Sequence, residues 1–328
     1  MLLLTFVATT QCDLNCRHCF RGDVQARHLP FEFVEQAIAG ARPFGIQEIQ
    51  LTGGEPFLYP HLDKIFDLAR RERIPVSFFS NGLNIPAHAA LLKKYRDVIK
   101  FIHISLESAQ PEIYEKIRGK GNFSKVLRAF EFCRRQNIPF AVLTCVNRFN
   151  TEDLDGLVRF VRRQGGRQVT FTTVLPCPQA QANDLVCDEE TRLRVLTQLR
   201  RIQRVASWDF FRWRYTAVVI GYPVYASSDI VMCENQMLRH VTIDVDGSVP
   251  FCTFLTVYDA PEAIRQKIKV ASLAASSFDQ ALKEFSASLH KFHEDRMGDY
   301  LTTSKKWGLN FNSCFYCNAK FGLSRQGG

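Results

Sequence analysis

Three cysteines carry the first chemistry in this sequence. The run Thr10-Gln11-Cys12-Asp13-Leu14-Asn15-Cys16-Arg17-His18-Cys19-Phe20 sets Cys12, Cys16 and Cys19 at spacings of three and then two residues, directly after an apolar stretch. On one loop, that spacing lets three thiolates converge on a single soft metal centre. A structural zinc takes four protein ligands. Three thiolates with no nearby fourth fit an iron–sulfur cluster with one iron left open. His18 neighbours Cys19 and would point away from the same centre, so it reads as a packing or cluster-shielding residue.

The cysteine count bears this out. The 328-residue chain holds 11, an odd number that cannot pair completely into disulfides. The start Met1-Leu2-Leu3-Leu4-Thr5-Phe6-Val7 has neither a basic beginning nor a small-residue cleavage site, so a secretion signal is not expected. A cytoplasmic location, where thiols stay reduced, follows as the expectation, and closely spaced thiols then point to metal. Hydrophobic residues at 46% and charged residues at 23% exclude a disordered or collagen-like chain. No apolar run reaches the roughly 18 residues of a membrane span, which predicts a soluble protein without a membrane partner. The net charge of +9 resides largely in Arg70-Arg71-Glu72-Arg73, Arg134-Arg135, Arg162-Arg163 and Arg200-Arg201. These read as solvated helix ends, where cations complement the helix dipole. Without an aromatic-interleaved basic stripe, nucleic-acid binding is disfavoured.

The elements that position these residues repeat along the first half. Basic helix ends lead through short turns into Val76-Ser77-Phe78-Phe79, Phe140-Ala141-Val142-Leu143 and Val169-Thr170-Phe171. Apolar strands alternating with amphipathic helices predict a parallel sheet covered by helices. Strands are expected at 2–9, 46–52, 75–80, 99–106, 140–146 and 168–174, with helices near 31–42, 61–72, 87–96, 123–135, 151–164 and 188–206. Six repeats are too few for the closed eight-fold barrel. The predicted fold is α/β, a partial (β/α)6 TIM-like barrel over 1–185 with chemistry at its C-terminal strand ends. From about 186 the composition turns aromatic and irregular. A smaller domain, a β-hairpin plus helix over 186–328, is expected there: the hairpin at 241–251 turns on Asp246-Gly247 and the helix lies near 276–292.

Together, Cys-x3-Cys-x2-Cys after the first strand of a partial barrel resembles the radical S-adenosylmethionine (SAM) superfamily. Further motifs match in order. Thr52-Gly53-Gly54-Glu55-Pro56 resembles the family's GGEP loop, which holds the SAM amino group. Ser80-Asn81-Gly82 is similar to its TNG motif, with Ser80 where Thr is frequent, and His18 stands where an aromatic residue is frequent. Ile104-Ser105-Leu106-Glu107 resembles the position whose Ser meets SAM, and Arg118-Gly119 and Val146-Asn147-Arg148-Phe149-Asn150 look like positions near SAM. The matches cover roughly residues 1–175. Glycines allow a close backbone approach, and Glu55 at a strand end is placed to pair with an ammonium group.

The second half holds Cys233, Cys252, Cys314 and Cys317. Thirteen residues separate Cys233 from Gly247 and four separate Gly247 from Cys252, which resembles the family's SPASM/twitch signature. The turn would bring Cys252 back towards the segment of Cys233, and Cys314-x2-Cys317 completes four thiolates. The resemblance implies the twitch form, with one auxiliary [4Fe–4S] cluster; a structural zinc on the same four cysteines stands as the alternative. Of the remaining thiols, Cys133 and Cys145 read as buried small hydrophobes. Cys177, following the sixth strand, is the one weak catalytic candidate, as a hydrogen-atom donor or cluster-proximal thiol, though a structural role is favoured.

By resemblance, the first cluster binds SAM through its open iron and reduces it to methionine and a 5′-deoxyadenosyl radical that abstracts a substrate hydrogen atom. The second cluster would accept the electron left on the substrate, giving an oxidoreductase served by a flavodoxin- or ferredoxin-type donor. Oxidative modification of a ribosomal peptide is the leading expectation. Oxidation of a small molecule such as an amino sugar is the second, and a non-catalytic zinc-stabilised binding protein the third. Because the barrel begins at residue 2, no fused peptide-recognition domain is expected, and a separate recognition protein would supply that role.

Overall fold

Runs of β-branched and aromatic residues become strands here, and the amphipathic stretches between them become the helices that cover one face. The computed structural model describes residues 1–22, 25–208, 216–220, 238–307 and 313–323. Its first stretch runs β1 (Leu2–Thr9), α1 (Phe31–Ala41), β2 (Ile46–Gly53), α2 (Leu62–Glu72), β3 (Val76–Ser80), α3 (Ala89–Lys94) and β4 (Ile99–Ser105). Then come α4 (Pro111–Arg118), α5 (Phe123–Arg135), β5 (Phe140–Val146), α6 (Leu154–Gln164), β6 (Gln168–Thr173), α7 (Pro178–Ala182) and α8 (Glu189–Trp208). The remainder is β7 (Ala217–Ile220), β8 (His240–Ile243), β9 (Ser248–Pro250), α9 (Glu262–Ile268), β10 (Lys269–Ser272), α10 (Phe278–Trp307) and α11 (Ser313–Lys320).

The chain divides into two compact units. One comprises Met1–Asp13, Phe20–Phe78 and Ser227–Gly328; the other comprises Leu14–Cys19 and Phe79–Ala226. In the first unit β1 pairs in parallel with β2 and β8, and β2 with β3, giving the order β3-β2-β1-β8. Thr5 faces Gln50 on one side and Thr242 on the other. The C-terminal segment returns to α1, where the Gln36 amide donates to the Ser276 carbonyl at 2.9 Å. In the second unit β4, β5, β6 and β7 form consecutive parallel pairs.

Helix α6 shows how the repeat is encoded. Asp153 caps it by accepting from Gly156 N at 3.0 Å. Leu154, Leu157, Val158 and Val161 bury one stripe, and Arg162 and Arg163 occupy the last turn. The last turns of α2 and α5 likewise carry Arg70-Arg71 and Arg134-Arg135, the helix-end placement expected for them. Arg200-Arg201 differ. They lie inside α8, whose last turn holds no basic residue.

All six expected strands form, within two residues of their expected bounds. The Asp246-Gly247 turn also forms: Gly247 N donates to Asp244 O at 2.9 Å and Asp244 N to Ser248 O at 2.8 Å. Its flanking strands, however, find other ladders. Val241 and Ile243 are buried as β8 extends the parallel sheet beside β1, while β9 pairs with β10 in antiparallel fashion. The helix expected near 276–292 runs on to Trp307 because its buried stripe of Phe278, Ala281, Leu282, Phe285, Leu289 and Phe292 continues through Arg296. No helix among the described residues is long and apolar enough to cross a membrane.

Candidate functional site

The cysteine loop leaves the end of β1, and the Gly53-Gly54 pair at the end of β2 fastens it. Gly54 N donates to Thr9 O and Glu55 N to Gln11 O, both at 2.7 Å. A Cβ at Gly53 would overlap the Thr9 carbonyl oxygen, and one at Gly54 the Gln11 carbonyl oxygen. Only glycine permits this approach, so the pair fixes the backbone that delivers Cys12. Glu55 is fully buried, and its carboxylate accepts from Phe57 N at 3.2 Å. Pro56 opens the buried 3-10 turn that follows.

In the second unit, Cys16 is buried and Cys19 half-buried, with Cys19 N donating to Cys16 O at 3.0 Å. Arg118, at the end of α4, directs Nη1 to Cys16 Sγ at 3.6 Å. The same guanidinium grips Glu107 through Nε to Oε2 and through Nη2 to Oε1 at 2.8 Å. Burial pushes the Glu107 carboxyl up, but the Arg118 charge and hydrogen bonds outweigh it and hold the group below the usual carboxylate range. Burial likewise opposes the charge of Arg118, and Glu107 followed by Cys16 more than restores it. His18 Nε2 lies 3.8 Å from Glu107 Oε1, and burial pushes its imidazole down to about 4, so it is neutral near pH 7. A guanidinium beside a thiol favours the thiolate, the form that binds metal.

A second grip comes from α7, which the sequence did not announce. Gln179 Nε2 donates to Cys16 O and to Asn15 Oδ1, each at 3.3 Å. Asn183 Nδ2 donates to Arg17 O at 3.3 Å, and the Cys177 thiol points to Cys19 O at 3.9 Å. Cys177 is buried at the N-cap of α7, a position that agrees with a structural role against the loop.

The other expected contacts lie at strand ends. Ser80 Oγ accepts from Gly82 N at 2.9 Å and Asn81 Oδ1 from Leu83 N at 2.8 Å, closing the turn after β3. Ser105 ends β4, half-buried. The Asn147 carboxamide accepts from Phe149 N at 3.0 Å and donates to Cys145 O at 2.9 Å, so it serves its own turn. Asn150 Nδ2 and Thr144 Oγ1 hold the Glu107 and Leu106 carbonyls, both at 2.8 Å.

Cys252 is half-buried at the head of a 3-10 turn. Its neighbour Phe251 packs on Phe292 (4.5 Å between centroids) and Phe321 (5.3 Å). Phe292 in turn meets Tyr316 of α11 at 5.7 Å. That aromatic group joins the Cys252 segment to the helix bearing half-buried Cys314 and buried Cys317. Cys233 lies outside the described residues. Burial pushes the thiols of Cys133 and Cys145 up to about 12 and that of Cys187 up to about 11; Cys133 is buried as expected, whereas Cys145 is half-buried at the end of β5. Among the described residues no three His, Cys, Asp or Glu side chains are gathered closely enough to hold a metal ion.

The chain resembles known proteins in sequence and in fold. Residues 6–161 match the family model described as the Radical SAM superfamily. Mycofactocin maturase MftC of Mycolicibacterium smegmatis is 28% identical over 167 residues, covering 50% of this chain and 42% of the relative. GTP 3′,8-cyclase of Rhizobium etli is 25% identical over 204 residues, covering 58% and 56%. The chain thus spans less than two thirds of either relative. The solved structure of native anSMEcpe with bound AdoMet and Kp18Cys peptide superposes with a TM-score of 0.65 at 18% identity, covering 88% of this chain and 82% of that one. That likeness establishes the fold, the partial (β/α)6 barrel with a C-terminal extension. The superfamily's cofactors are a [4Fe–4S] cluster and SAM, and the soft thiol donors, the Arg118 guanidinium at Cys16 and the side-chain-free Gly53-Gly54 cradle fit them. The parallel barrel, the cysteine loop and the family match agree: this chain carries a radical SAM domain over residues 6–161.

Proposed function

We propose that this chain is an enzyme that modifies a peptide oxidatively, using a [4Fe–4S] cluster on Cys12, Cys16 and Cys19 together with SAM. The observation that carries the reading is the environment of Cys16, a buried thiol 3.6 Å from a guanidinium that Glu107 holds in place. When bound, the cluster and SAM supply a carbon radical able to take hydrogen from an unactivated C–H bond. The chain supplies position and exclusion of water. Gly53 and Gly54 fix the loop, Glu55 offers a carboxylate to the SAM ammonium, and Pro56 turns the chain behind it. By resemblance, Ser80, Asn81, Ser105, Glu107, Arg118 and Asn147 would contact SAM.

Residues 1–185 form the barrel in this reading, and 186–328 a twitch-like domain with an auxiliary [4Fe–4S] cluster on Cys233, Cys252, Cys314 and Cys317. In this reading the protein works in the cytoplasm with a flavodoxin- or ferredoxin-type electron donor. Similarity to a maturase, and to the fold of a protein solved with a bound peptide, supports a peptide substrate. Similarity to a GTP cyclase supports the small-molecule substrate of the second reading.

Anaerobically reconstituted protein, given dithionite, SAM and deuterated candidate substrates, should release 5′-deoxyadenosine carrying deuterium from a peptide. Deuterium transfer from a small molecule alone would establish the second reading, and reconstituted protein that holds zinc and releases no 5′-deoxyadenosine would end both. Cys314→Ala should lower iron content while some SAM cleavage persists; unchanged iron would remove the auxiliary cluster.

A further inference from the structure

Inside the first unit, the residues that directly follow Cys19 pack against the Cys252 turn, and these are the neighbours of the two segments proposed to carry clusters. Phe20 packs its ring on Phe254, 5.9 Å between centroids. Arg21 is buried, yet its hydrogen-bond acceptors are hydroxyls: Nη1 donates to Thr256 Oγ1 at 2.5 Å and to Tyr258 Oη at 3.4 Å. Its guanidinium lies 5.0 Å from the Phe20 ring centroid and 5.9 Å from that of Tyr258. The backbones are tied as well, Tyr258 N donating to Arg21 O at 3.1 Å. Tyr258 Oη in turn donates to buried Asp244 at 2.5 Å, on the turn that precedes Cys252. Phe254 and Thr256 stand two and four residues after Cys252.

A buried guanidinium is costly unless its donors are satisfied. Here they hold a geometry that nothing in the barrel repeat requires, since Arg21 lies in the connection between β1 and α1. The hydrogen bonds, ring contacts and backbone bond all link the same two segments. We infer that Arg21 is a positioning residue that couples the cysteine loop to the Cys252 turn, so that loss of order at one cluster site loosens the other. This rests on the proposed function, in that both segments hold clusters.

The test uses the full chain, anaerobically reconstituted, in four forms: wild type, Arg21→Gln, Cys252→Ser and the double variant. After challenge with 2,2′-bipyridyl, one follows the decay of the low-temperature EPR signal that changes on adding SAM, which reports the first cluster alone. Each single variant should speed that decay several-fold, and the double variant should decay no faster than the faster single one, the non-additivity expected of a shared contact. Decay in Arg21→Gln equal to wild type, or single effects that multiply in the double variant, would overturn the coupling. Should Arg21→Gln fold poorly by circular dichroism, Thr256→Val removes the 2.5 Å acceptor without moving the charge, and the same outcomes apply. A wild-type signal indifferent to SAM would instead contradict the proposed function and the coupling with it. Iron content unchanged by Cys252→Ser would remove the auxiliary cluster on which the coupling depends.

Discussion

Arg118 and Glu107 form a bidentate ion pair with both side chains buried, and the free end of the same guanidinium reaches Cys16 Sγ at 3.6 Å. Each partner makes the other tolerable away from water. Removing one leaves an uncompensated charge, at a cost of roughly 3–5 kcal/mol. Arg118→Gln should therefore lower stability by about that amount in anaerobic urea unfolding. It should also raise the Glu107 carboxyl towards neutrality and reduce cluster loading. Arg118→Lys keeps the charge without the planar fork and should fall between the two. Wild-type stability in Arg118→Gln would show that the pair does not hold the site.

Gly54 presses on the Gln11 carbonyl. In Gly54→Ala the added methyl must displace the strand end that delivers Cys12, an overpacking cost of roughly 1–3 kcal/mol. Iron bound after reconstitution should fall by more than half while the far-ultraviolet dichroism stays unchanged. Full iron loading would mean that the loop adapts.

Helix α7 holds the cysteine loop by its carbonyls, through Gln179 and Asn183. Gln179→Glu and Asn183→Asp keep size and shape but turn each donor into an acceptor facing a carbonyl. Each change should cost about 1–3 kcal/mol of loop order. Iron should then pass to a chelator faster than from the wild-type chain, and a rate equal to wild type would deny α7 this role.

His240 on β8 meets Thr5 Oγ1 through Nε2 at 2.5 Å, and burial pushes its imidazole down to about 4 from the usual 6.5. Between those values the unfolded chain binds a proton that the folded chain refuses. Stability should thus fall as pH drops through that window, by about 3 kcal/mol. His240→Gln should flatten the acid limb of a stability–pH profile measured by urea unfolding. An unchanged profile would place the acid sensitivity elsewhere.

The barrel was legible because its signals are local. The apolar strands, the stripe of α6 and the basic last turns of α2, α5 and α6 are each written within about 15 residues. The cysteine loop and the Gly-Gly pair were legible for the same reason, since spacing and a side-chain-free approach are properties of short segments. Long-range pairing was not. That β8 would join β1 across more than 230 residues depends on which edge is left open. The turn at Asp246-Gly247 was visible, but the ladders on either side of it were decided elsewhere. Glu107 was read as the neighbour of Ser105, and its bond to Arg118 emerged only when the end of β4 met α4 in space. Arg21 and Gln179 carried no motif at all. Their roles come from hydroxyls and carbonyls that lie far along the chain.

The most direct measurement is the EPR spectrum of the reduced, reconstituted protein before and after SAM is added, in the wild type and in Cys16→Ala. A cluster held by Cys12, Cys16 and Cys19 with one iron open predicts a wild-type signal that shifts when SAM binds, and no such signal in Cys16→Ala. A wild-type spectrum that ignores SAM, or a SAM-responsive signal that survives the loss of Cys16, would contradict it.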